Sequence, residues 1–99
     1  MLDPEKVNKL ATEAAATSFG KANVSRVLSE PTVDSTGQEA LRIVIVFPGK
    51  SIPKAVNGDT LLNNLVRMSN MLQENGDDRL PIFQYATEDE LEHSGDTES

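Results

Sequence analysis

Cysteine and tryptophan are absent from this 99-residue sequence, histidine occurs once, and the aromatic set is three phenylalanines and one tyrosine. Without cysteine there is no disulfide and no thiolate to act as nucleophile or metal ligand. No apolar run approaches the roughly 18 residues that a membrane-spanning helix needs. The single histidine, His93, stands in an acidic terminal stretch where no shaped pocket can orient it. That position removes the usual general base for a Ser or Thr nucleophile and leaves no His-based metal site. The start shows no basic segment followed by an apolar run, so no signal peptide is predicted. That reading and the lack of cysteine place the expected protein in the cytoplasm.

What is present is acid. Nine Lys and Arg stand against sixteen Asp and Glu, a formal net charge of -7. The imbalance is local. Residues 1–87 carry ten acids and all nine bases, whereas residues 88–99 carry six acids and no base. A nearly neutral body is therefore followed by an acidic segment. The length suits one domain. Residues 1–92 are expected to form it, and residues 93–99, with no large apolar side chain, to be a disordered acidic tail.

Local signals order the body as helix, strand, strand, helix, strand. Asp3 suits an N-cap, with Pro4 at the first helical position, where its missing N–H costs nothing. Val7, Leu10, Ala14, Ser18 and Phe19 recur at helical spacing, and Gly20 follows as a left-handed C-cap. A strand is predicted over 24–30, ended or edged by Pro31, then a turn at Asp34-Ser35-Thr36-Gly37. Ala40–Phe47 is the strongest strand. Leu41, Ile43, Ile45 and Phe47 point to one face, and Ala40, Arg42, Val44 and Val46 to the other. The short connection makes these two strands an antiparallel hairpin.

A loop over 48–58 holds Lys50 and Lys54. The second helix begins at Asp59 or Thr60 and ends near Gly76, with Leu61, Leu62, Leu65, Met68 and Leu72 as its apolar stripe. Asn63, Asn64, Arg67, Asn70 and Glu74 are expected mostly opposite. Asp77-Asp78-Arg79 reads as an exposed turn, 80–85 as a third strand, and Thr87–Glu90 as a capping box opening one more helical turn. The predicted fold is α+β: a three-stranded sheet with two helices on one face and a short terminal helical turn.

Catalytic motifs fail one by one. Phe47-Pro48-Gly49-Lys50-Ser51 imitates a phosphate-binding loop, but the first glycine of that motif falls on Val44, and Pro53 blocks the helix that should follow. Asp77-Asp78 lacks the alternating acids of a calcium loop. The acids sit in turns, helix ends, polar faces or the terminal segment, which supplies no buried carboxylate for acid–base work. The chain is read as no enzyme, with no cofactor and no metal.

Two binding readings are left. In the first the chain contacts another protein or a second copy of itself. The second sheet face (Arg42, Val44, Val46) and the asparagines of the second helix (Asn63, Asn70) are the candidate interface, because uncharged polar groups cost less to desolvate than charges. In the second, the α-β-β-α-β order is KH-like, and Arg42, Lys50 and Lys54 are candidate phosphate contacts for weak nucleic-acid binding. The G-x-x-G loop of such modules is missing.

The start Asp3-Pro4-Glu5-Lys6-Val7, the stretch Gly37-Gln38-Glu39-Ala40-Leu41-Arg42-Ile43-Val44 and the run from Leu80 to Leu91 resemble a group of short bacterial proteins of unknown function. These are often encoded beside HEPN-type or nucleotidyltransferase-type proteins. The resemblance spans most of residues 3–91 and carries no catalytic motif, so no functional residues transfer. It implies an accessory, antitoxin-like partner.

Overall fold

The computed structural model describes residues 1–94, with side chains through 92. Five main elements follow in the predicted order: α1 (Pro4–Phe19), β1 (Arg26–Val33), β2 (Glu39–Phe47), α2 (Gly58–Glu74) and β3 (Leu80–Thr87). A short helix α3 (Glu88–Ser94) ends the described chain, longer than the single turn expected through Leu91. Residues 95–99, most of the expected acidic tail, lie outside the described residues. No helix is long and apolar enough to cross a membrane among the described residues.

The capping signals act as read. The Asp3 carboxylate accepts from the Lys6 N–H at 2.8 Å and opens α1. Gly20, at φ 93°, leaves the helix through a conformation that L side chains rarely adopt. The Asn57 side chain and Thr60 cap α2 reciprocally. Thr87 and Glu90 do the same for α3, at 3.1 and 3.2 Å.

β2 is the central strand, antiparallel to β1 and parallel to β3. The hairpin closes through Asp34, whose N–H donates to the Gln38 carbonyl. In an antiparallel ladder, hydrogen-bonded and open pairs alternate. The even residues of β1 therefore bond β2, and the odd ones face the free edge. Pro31 is an odd residue, so it lies within β1 without removing a ladder bond, and it leaves that edge one donor short for any added strand. The parallel β3 follows from the connection: β2, a loop, α2 and β3 form a crossover long enough to return the chain in the same direction.

Both helices lie on one face, over Leu41, Ile43, Ile45 and Phe47. α1 contributes Val7, Leu10, Ala11, Ala14, Ala15 and Phe19; α2 contributes Met68 and Leu72. Phe19 meets Phe47 and Tyr85 edge-on, with ring centroids at 5.7 and 6.0 Å. Asp77 and Arg79, read as an exposed turn, are instead 2% and 9% exposed. Each charge supplies what the other needs in order to be buried: the Arg79 guanidinium donates to both Asp77 oxygens. Asp77 also accepts from the Leu2 N–H at 3.0 Å, and Arg79 donates to the Leu2 carbonyl. The pair thereby ties the start of α1 to the end of α2. Arg79 first, then backbone donors, holds the Asp77 carboxyl well below the usual carboxylate range, against its desolvation.

Candidate functional site

The candidate residues fall on two separate surfaces. The sheet face away from the helices is a small grid of cross-strand rows. Arg26, Val46 and Ala86 form one row. Leu28, Val44 and Gln84 form the next, then Glu30, Arg42 and Ile82. Val46, expected at an open interface, is 0% exposed. The cause is electrostatic: Arg26 on β1 reaches across to Glu88 at the start of α3, with contacts of 3.1 Å, and Ser25 donates to the same carboxylate. Ser25 and then Arg26 hold the Glu88 carboxyl below its ordinary value. This end of the face is closed.

Farther down, Arg42 is exposed but bonded to Glu30 at 3.1 Å. Val44 is half-buried between Leu28 and Gln84, above a shallow depression. The face is wet, mixed and charge-balanced. Lys50 and Lys54 are exposed in the loop between β2 and α2. Arg42 lies five residues before the end of β2, roughly 16 Å along the strand. The three candidate phosphate contacts thus do not converge on one cradle.

The second surface is α2. Its inner side is Leu61, Asn64, Met68 and Leu72. Asn64, expected outside, is 0% exposed, and neither its nitrogen nor its oxygen has a hydrogen-bond partner. Burial raises the Tyr85 hydroxyl above its ordinary pKa, and the neighbouring Asn64 carboxamide opposes that in part without reaching hydrogen-bond geometry. Leu62 and Leu65, expected inside, are instead 59% and 38% exposed, and Val66 is 49% exposed. The helical phase explains the exchange. Asn64, Met68 and Leu72 repeat every four residues on the line that meets the core, and Leu62 and Val66 repeat on the opposite side. That spacing was visible in the sequence; reading every Leu as inward and every Asn as outward hid it.

Asn63 and Asn70 stand where expected, on the outer side of α2. They line a shallow groove between two surface rows, Leu62-Val66-Asn70 and Asn63-Arg67-Met71. Each row steps by four residues, and such paired rows are what a second helix packs against.

Elsewhere, an apolar cleft of about 180 Å³ lies beside the β1 edge, walled by Leu2, Pro4, Val7, Pro31 and Leu41. Arg79, which also lines it, is committed to Asp77. Among the described residues no three His, Cys, Asp or Glu side chains gather as metal ligands. The His93 side chain lies outside the described residues. Compared with family models, curated proteins and solved structures, the chain matches none of them.

Proposed function

We propose that the chain is a small cytoplasmic protein-interaction module, an accessory subunit without catalysis of its own, that binds another protein through the outer side of α2. The observation that carries this reading is the inverted helix. α2 buries an unpartnered asparagine and exposes Leu62, Leu65 and Val66 within five residues of one another. Stability alone would favour the opposite arrangement, since a buried unpaired amide and exposed aliphatic side chains both cost free energy. Neighbouring exposed aliphatics rimmed by uncharged polar groups are what protein contacts use. Asn63 and Asn70 supply such groups here.

The resemblance to short proteins encoded beside HEPN-type or nucleotidyltransferase-type proteins suggests the class of partner. Co-expression with the protein encoded next to this one, followed by size-exclusion chromatography, tests the reading. A stable complex is expected for the wild type, and its loss for Leu62→Asp and Val66→Asp with unchanged thermal stability of the free chain. No complex at micromolar concentration, or a complex indifferent to both substitutions, would contradict it. Nucleic-acid contact through Arg42, Lys50 and Lys54 has weaker support, because Glu30 neutralises Arg42 and the lysines stand apart from it.

A further inference from the structure

If α2 is an interaction surface, as proposed above, the charges along the helix point to a second occupant for it. Four exposed charged residues follow one another from the preceding loop to the last turn: Lys54, Asp59, Arg67 and Glu74. Their signs run plus, minus, plus, minus. Among the described residues none of the four is in a salt bridge of 4.0 Å or less. The midpoint between Asp59 and Arg67 is Asn63, and the midpoint between Lys54 and Glu74 is Asn64. Leu62, Leu65 and Val66 are clustered about the same turn. Reversing the order of the helix about that turn therefore sets Asp59 opposite Arg67 and, within one residue of the same centre, Leu62 opposite Val66. A two-fold axis performs that reversal, and a two-fold interface requires a self-complementary surface.

We infer that the outer side of α2 binds a second copy of this chain, with the two α2 helices antiparallel and crossing near Asn63. In this arrangement Leu62 meets the other copy's Val66, and the two Asn63 carboxamides, each donor and acceptor, face one another at the axis. Arg67 comes beside the second copy's Asp59. The row of Leu62, Val66 and Asn70 enters the groove of the opposing helix, and four-step rows packed in four-step grooves set the two helices about 50° apart. The aliphatic contacts supply the affinity. The charges set direction, because exposed pairs contribute little to affinity but penalise wrong pairings. A parallel pair would place Asp59 against Asp59 and Arg67 against Arg67. Since the dimer uses the surface assigned to the other protein, the two contacts compete.

Sedimentation equilibrium of the full 99-residue chain from about 10 µM to about 1 mM tests the inference. Wild type is expected to dimerise within that range, more weakly as salt rises. Val66→Asp is expected to be monomeric throughout. Arg67→Glu and Asp59→Lys should each weaken the dimer about tenfold, since each replaces two attractions with two repulsions. The double variant D59K/R67E should recover the wild-type constant to within about threefold, because the reversed charges pair again. Thermal melts of all four variants establish that they fold. A wild type that stays monomeric to about 1 mM overturns the inference, as does a dimer that survives Val66→Asp or a folded double variant no tighter than the single ones. If the dimer fails while Val66→Asp still abolishes the complex with the other protein, the interaction surface stands and only its self-pairing falls.

Discussion

Helices α1 and α2 have nearly the same length and rest on the same side of the same sheet, yet they divide their surfaces differently. α1 turns Val7, Leu10, Ala11, Ala14, Ala15 and Phe19 inward and leaves Glu5, Lys6, Lys9, Thr12 and Glu13 in water. No large apolar side chain of α1 is exposed, although the Ser18 hydroxyl, like the Asn64 amide, is buried without a hydrogen-bond partner. Its alanines also let the helix lie close to its neighbours, and alanine carries no helix-propensity penalty. α2 places an asparagine against the core and aliphatic side chains in solvent. The contrast separates a helix whose surface is accounted for by the fold from one whose surface is not. The remainder on α2 is the basis for assigning it an external partner.

The substitutions that probe this contrast differ widely in size. Among substitutions that leave the chain able to fold, Phe19→Ala should cost the most, about 3–5 kcal/mol in chemical denaturation, because it empties the edge-on contact with both Phe47 and Tyr85. Asp77→Ala should follow, at about 3 kcal/mol, by leaving the Arg79 guanidinium buried without its counter-ion and freeing the tie between the two helix ends. The same carboxylate predicts a pH dependence. Its pKa is lowered in the folded state, so its stabilisation is fully present above the ordinary value near 3.8 and is lost as pH falls below it. Stability measured from pH 6 downward, compared with Asp77→Asn, should show that loss in the wild type and a flatter profile in the variant.

Asn64→Leu should act in the opposite direction, raising stability by about 1 kcal/mol, since it buries hydrocarbon where an amide has no partner. Destabilisation of that size would mean that Asn64 has a bonding role. Smallest of all, Leu62→Asp and Val66→Asp should change the stability of the free chain by less than about 0.5 kcal/mol, as exposed substitutions do. Val7→Asp on α1, by contrast, should prevent folding, because it buries an unpaired charge.

Most of the fold was legible because its signals are local and agree with one another. Asp3-Pro4, Gly20, the Asp34–Gly37 turn and the Thr87–Glu90 box each bound an element within a few residues of where it lies. The alternation along β2 assigned its two faces correctly. Three features were harder to read, each for a physical reason. Residue type outweighed helical phase on α2, so Asn64 and Leu62 were exchanged. Two adjacent charges signalled an exposed turn, because burial of Asp77 and Arg79 depends on their pairing and on the backbone of Leu2, 75 residues away. Val46 was assigned to an open face because the Arg26–Glu88 bridge that closes it joins residues 62 apart. Long-range polar contacts leave no periodic trace in a sequence, and these are the contacts that moved Val46 out of the candidate site and left the outer side of α2 in it.

The central claim is that α2, rather than the open sheet face, is where this chain meets another. Methyl NMR on dilution of the labelled protein tests it most directly, because both surfaces carry reporters. The account predicts concentration-dependent shifts at Leu62, Leu65 and Val66, with Leu28, Val44 and Ile82 unchanged. Shifts confined to the sheet methyls would contradict it, whereas no shift at any concentration up to about 1 mM would contradict only the self-pairing.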